Sequence, residues 1–251
     1  MNPLSFIYNE VLLRPLFNLL VGITNVVPTH SVGFGILAVT LTVRLLLLPP
    51  ALHHAKQMQA NQKKMGGLQA ELKKINHQYK NDAAKKAEAT MALYRRAGVN
   101  PASGCLPLLI QLPILIALYR VFLIGIGPDT LHLLYSFIDP PATAQLMFIG
   151  INLTHPSIGL AVLAGLGQFV LMRQATPAAG KDQVSLGSDQ SAQMMAGMQK
   201  NMAYIFPAMT VFIALQLPAA LSLYWVASTV FGIVQQYLFK KYLNVASNVA
   251  V

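Results

Sequence analysis

Apolar residues gather along this chain into five runs, at about residues 32–50, 104–125, 157–173, 203–217 and 219–239. A helix needs ~20 residues to cross ~30 Å of hydrocarbon, so the pattern predicts five transmembrane helices. The third and fourth runs are short: at ~1.5 Å per residue they reach only about 22–26 Å. A locally thinned bilayer accommodates such spans. Pro218 separates the last two runs and predicts a tight turn between them.

Two further segments carry a pattern. In residues 3–27 the polar positions Asn9, Glu10, Arg14 and Asn18 recur at helical spacing within an apolar, aromatic stretch, which predicts a helix lying in the membrane interface. Pro15 and the Glu10/Arg14 pair argue against its crossing. Residues 52–99 are the only long polar stretch. Leu68, Leu72, Ile75 and Tyr79 form one helical face, and Ala84, Ala87, Met91 and Tyr94 another, after a break at Lys80-Asn81-Asp82. This predicts a helical hairpin, with a kink at Gly66-Gly67. The expected order is an external interfacial helix (1–30), a first span (31–51), a cytoplasmic hairpin (52–99), a second span (100–125) and an external loop (126–156). A third span (157–173), a polar, Met-rich and mobile cytoplasmic loop (174–202), a fourth span (203–217), a fifth span (218–239) and a cytoplasmic tail (240–251) complete it. The fold class is thus an all-α polytopic membrane protein.

Composition agrees. The chain is 55% hydrophobic and 10% charged, where soluble domains carry nearer a quarter charged residues. The net charge is +10. Ten Lys and Arg fall in 52–99, three in 173–202 and two in 240–251, against Arg14 and Arg120 alone on the opposite side. The positive-inside rule puts the hairpin, the 174–202 loop and the C-terminus in the cytoplasm and the N-terminus outside. The hairpin's net +7 could also meet anionic lipid or RNA phosphate. A single cysteine, Cys105, excludes an internal disulfide and any multi-cysteine metal site. The N-terminus lacks the basic leader and cleavage site of a signal peptide.

The candidate chemistry starts at Arg44, inside the first apolar run. All eight acids, Glu10, Glu71, Asp82, Glu88, Asp129, Asp139, Asp182 and Asp189, lie outside the apolar runs. A guanidinium does not shed its proton (pKa above about 12), and at mid-membrane it costs about 2.5–3.5 kcal/mol by insertion scales. With no carboxylate to pair with, water is the cheapest remedy, which predicts a wet cavity within the membrane. Snorkelling to the cytoplasmic interface is the bland alternative. Thr40 shares a face with Arg44. Pro107 and Gln111 share one in the second span, and Gln168 and Gln216 sit in the third and fourth. In the fifth span Tyr224, Ser228 and Gln235 form one stripe, and Trp225, Thr229 and Gln236 the next. A single polar stripe is ordinary glue between membrane helices; stripes in several spans beside an unpaired arginine suggest the wall of a shared hydrophilic groove. No hydrolase, phosphate-loop or metalloprotease motif occurs, and neither an enzyme activity nor a cofactor or metal is expected.

These residues resemble the YidC/Oxa/Alb family of membrane protein insertases. The likeness runs from about residue 4 to 242 and rests on Thr40 with Arg44, MALYRRAGVNP (91–101), GCLPLLIQLPILIALY (104–119) and LPAALSLYWVASTVFGIVQQYL (217–238). It implies five helices around a groove open to the cytoplasm and lipid but closed outside. Arg44, Thr40 and Gln111 would be groove residues. Tyr224 and Trp225 would face substrate, and the polar stripe of the same helix adds Ser228 and Gln235 to the groove. It also implies a bacterial plasma (inner) membrane location, nascent membrane proteins and lipids as partners, and contact of hairpin 52–99 with the ribosome and targeting machinery, with the Sec translocon a further candidate and DNA not one. The resemblance has departures: neither the large periplasmic domain and extra leading span of some members nor the lipoprotein cysteine of others is expected here, and Gly66-Gly67 stands where relatives often have proline. The competing readings are a solute channel or transporter with a hydrated arginine, and an RNA or ribosome tether. The first should show repeats or broken helices, which are not evident. The second is weakened because the hairpin offers only Tyr79 and Tyr94 as aromatics.

Overall fold

The computed structural model describes residues 6, 8–27, 29–99, 106–125, 128–140, 143–175 and 204–249. Cys105 and most of the 174–202 loop lie outside them. The described chain is helical almost throughout. Its helices are α1 (Arg14–Val26), α2 (Val32–Leu46), α3 (Leu48–Gly67), α4 (Gln69–Gln78), α5 (Ala83–Arg96), α6 (Leu106–Ile124), α7 (Ile158–Ala175), α8 (Tyr204–Ala214) and α9 (Ala219–Val249). A 3-10 turn at Pro128–Leu133 and two strands, β1 (Met147–Phe148) and β2 (Ile151–Asn152), lie between α6 and α7. Among the described residues no single helix is both long and apolar enough to cross a membrane; α2 and α3 pass that test together, bent by 54°.

The breaks have local causes. A π turn, Asn9–Leu13, leads into α1, with the Arg14 N–H bonding back to Asn9 O. Pro15 follows, lacking an N–H and crowding the carbonyl four residues before it, so the ladder slips by one residue. The bend between α2 and α3 falls at Leu47, ahead of Pro49 and Pro50 in the first turn of α3. That is earlier than the apolar run, continuing to residue 50, implied. The next break comes at Leu68, one residue after Gly66-Gly67. A side chain at either glycine would meet open space, so their low helix propensity, not a close approach, places the break there. Asp82 caps α5, its Oδ1 accepting the Lys85 N–H at 3.0 Å. Arg96 pairs with Glu71 across α4 and α5, and at the base of α5 burial pushes the Tyr94 phenol above its ordinary pKa.

The core sits at the end of the molecule away from this hairpin. It joins Phe17, Leu20 and Val21 of α1, Ile36 and Val39 of α2, Ala117 and Val121 of α6, and Leu221 and Tyr224 of α9. A polar clasp ties α1 to the connection after α6. Asn18 Nδ2 donates to Leu133 O at 2.8 Å, the Tyr135 N–H donates to Asn18 Oδ1 at 2.7 Å, and Arg14 Nε donates to Leu133 O at 3.2 Å. The Arg14 guanidinium also lies over the Tyr135 ring at 5.0 Å. The polar stripe of α1 therefore faces another part of the chain.

Small residues bring the last three helices together. A Cβ at Gly165 would fall 2.2 Å from Val211 Cγ2 and 3.2 Å from Pro207 O of α8, and one at Gly167 would fall 2.7 Å from Thr229 Oγ1 of α9. The first N–H groups of α9 find carbonyls in the connection between β2 and α7, Ala219 to His155 at 2.9 Å and Ala220 to Leu153 at 3.0 Å. Overpacking of this kind costs about 1–3 kcal/mol, so Gly165→Ala should lower the thermal unfolding midpoint in detergent. Gly159→Ala, where the added methyl meets nothing, should leave the midpoint in place or raise it.

Candidate functional site

Arg44 lies in the last turn of α2, beyond that helix's last buried residue, Thr40. Its backbone position favours a cation, because the carbonyl end of a helix carries partial negative charge. The side chain turns across to α9. Arg44 Nε donates to Ser228 Oγ at 3.1 Å and Arg44 Nη2 to the same oxygen at 3.0 Å. A guanidinium has five N–H donors, and this contact occupies two. Among the described residues Arg44 forms no ion pair: the three ion pairs present are Arg14–Glu10, Lys85–Asp82 and Arg96–Glu71.

Gln111 and Tyr224 meet as well, the Gln111 amide donating to the Tyr224 hydroxyl and tying α6 to α9. Two cross-helix hydrogen-bond contacts thus converge on one turn of α9, from α2 to Ser228 and from α6 to Tyr224. Tyr224 and Ser228 are each 2% exposed. Trp225 and Gln235 are half-buried, and Gln235 lies two turns beyond Ser228 on the same face.

Thr40 behaves differently. It is buried, and its hydroxyl donates to Ile36 O of its own helix at 2.6 Å. Thr229 likewise turns to Trp225 O at 3.0 Å, and the Gln216 amide to Phe212 O at 3.2 Å. Bonding four residues back lets a polar side chain satisfy itself locally, so Thr40, Thr229 and Gln216 use carbonyls of their own segments rather than a neighbouring helix. The clasp residue Asn18 and the buried Ser222 were not singled out by sequence reasoning. Asn18 was noted only as part of a surface pattern, and nothing in its spacing distinguishes a residue facing water from one facing a distant carbonyl. Among the described residues no cluster of three or more His, Cys, Asp or Glu side chains could hold a metal.

A family model described as the 60Kd inner membrane protein matches residues 23–246. The chain belongs to this family, that of the YidC insertases. Among its relatives is the membrane protein insertase YidC of Fusobacterium nucleatum, 36% identical over 239 residues, which cover 95% of this chain and 98% of that one. The YidC of Oceanobacillus iheyensis is 32% identical over 94% of this chain and 84% of its own length. The membrane protein insertase MisCA of Bacillus subtilis is 34% identical over 83% of this chain and 70% of its own. As a member of this family the chain is an inner-membrane protein.

Proposed function

We propose that this protein is a membrane protein insertase: it receives nascent membrane proteins from the cytoplasm and releases their apolar segments into the bilayer through a polar groove among α2, α6 and α9. One observation carries this reading. Arg44 sits in an apolar helix against a neutral hydroxyl, with three of its five donors and its whole charge unmatched by any described residue. Such a group persists beside hydrocarbon when water reaches it. The buried core lies toward the other end of the same helices, so that water would enter from the hairpin side only.

In this reading the five apolar runs are spans around the groove, the N-terminus is outside, and the hairpin and C-terminus are cytoplasmic. Water and polar side chains solvate the substrate's outward-bound tail while its apolar helix moves along the lipid-facing flanks of α7 and α9. Partitioning of that helix drives insertion, and the membrane potential adds ~2.3 kcal/mol per charge per 100 mV on an acidic tail. No nucleotide is required. Hairpin 52–99 receives the substrate and contacts the ribosome and targeting machinery, with the Sec translocon as a further partner.

Photocrosslinkers at Gln235 and Trp225, compared with one at the lipid-exposed Leu163, test the groove. A stalled single-span nascent chain should crosslink from the first two positions in inverted membrane vesicles. Crosslinks from Leu163 alone, or from none of the three, would reject a groove at α9.

A further inference from the structure

We propose that the 147–152 hairpin is a membrane anchor whose tip, Ile149, sits among the acyl chains of the outer leaflet. β1 and β2 pair antiparallel, Met147 opposite Asn152 and Phe148 opposite Ile151. The loop between them is Ile149-Gly150, with φ of +49° and +75°. Two-residue turns with both φ positive take Asn-Gly or Asp-Gly, whose residues tolerate the left-handed region. A β-branched residue there is an outlier, and strain of this kind persists where something else repays it. Burial of the Ile149 side chain among the described residues does not, since it is 83% exposed.

The surroundings indicate what covers it. Phe148 fixes the hairpin to the first turn of α2: its ring meets Phe34 edge-on at 5.2 Å and lies over Gly33, where a Cβ would come within 2.2 Å of it. Ile149 is the next residue, so it is held at the level where α2 begins. Leu146, Met147 and Phe34 are exposed beside it, and their surface continues into the apolar flank of α2 at Leu41. Between Arg120 and Arg173 the chain has no Lys or Arg, and its acids there are Asp129 and Asp139. A headgroup-phosphate site would require cations; an uncharged apolar tip suits hydrocarbon just beneath the headgroups.

The inference rests on reading α2 as a span, and the experiment separates the two. With Cys105 replaced by serine, single cysteines at Ile149, Leu41 and Lys85 are labelled with an environment-sensitive fluorophore, and the full chain is reconstituted in vesicles carrying spin-labelled acyl chains. The Ile149 probe should be blue-shifted and quenched by the lipid spin label as strongly as the Leu41 probe, while the Lys85 probe stays unquenched and open to aqueous iodide. Quenching at Leu41 but not at Ile149 would overturn the anchor and leave the span intact. Absence of quenching at Leu41 would overturn the span and, with it, the anchor. An Ile149 probe shielded from both quenchers would mean that protein covers the tip, also overturning the proposal. In an Ile149→Asn background, better suited to the turn, a probe at Met147 should lose its lipid quenching; retained quenching would show that Ile149 is not what holds the hairpin in the membrane.

Discussion

Replacing Arg44 with alanine is expected to lower insertion of a single-span substrate with an acidic tail by tenfold or more, with no loss of thermal stability. The two halves of this result have separate causes. A carboxylate ~4 Å from a guanidinium gains about 4 kcal/mol at an effective dielectric of 20, and a tenfold change needs only about 1.4 kcal/mol. Even a strongly screened attraction is therefore enough to be seen. Stability should move the other way, because an arginine at membrane depth costs about 2.5–3.5 kcal/mol by insertion scales, and the Ser228 hydroxyl returns only a fraction of this. The thermal midpoint in detergent should hold or rise. Arg44→Lys keeps the charge but not the fork that spans Ser228 Oγ from Nε and Nη2, and should retain intermediate activity. Substrates with neutral tails should suffer less than acidic ones. Unchanged insertion across several acidic-tailed substrates would remove Arg44 from the mechanism.

Nothing local in the sequence points from Arg44 to its partner. Arg44 and Ser228 were each marked by their place in an apolar helix, yet they lie 184 residues apart, and no spacing rule joins them. The helical character of the chain was legible because hydrophobic periodicity and proline positions act locally. Pro218 and the Lys80-Asn81-Asp82 break are of that kind, and both fall at turns between helices. The bend at Leu47 was harder to see because the apolar run continues through it. Satisfaction of polar groups was the least legible feature. Thr40 reads as a groove residue because it shares a face with Arg44, but the acceptor it uses is a backbone carbonyl one turn back, which every helix offers and no side-chain pattern records. The close approaches at Gly165 and Gly167 were hidden for a similar reason: their meaning lies in the neighbouring helix.

The second large effect is expected far from Arg44, at Asn18. This residue is 2% exposed and uses three hydrogen bonds: its amide donates to Arg14 O at 2.7 Å and Leu133 O at 2.8 Å, and its oxygen accepts from the Tyr135 N–H at 2.7 Å. Asn18→Ala leaves the Tyr135 N–H without its partner and leaves Leu133 O with only the Arg14 Nε bond. A buried group stranded in this way costs about 1–3 kcal/mol, and the lost side-chain volume adds to that. The thermal midpoint should fall clearly, and the 128–140 segment should become open to proteolysis at temperatures where the rest of the chain resists it. Asn18→Asp is the sharper variant. It keeps the acceptor for Tyr135 but turns both donors into acceptors facing the carbonyls of Arg14 and Leu133, so at neutral pH it should be at least as damaging as alanine. Acidification should rescue it in part, because a protonated carboxyl regains one donor. If the clasp holds the 128–140 connection over the core, both variants should loosen that end while the Arg44–Ser228 contact survives. An unchanged midpoint and unchanged protection of 128–140 in Asn18→Ala would mean that apolar packing alone fixes α1.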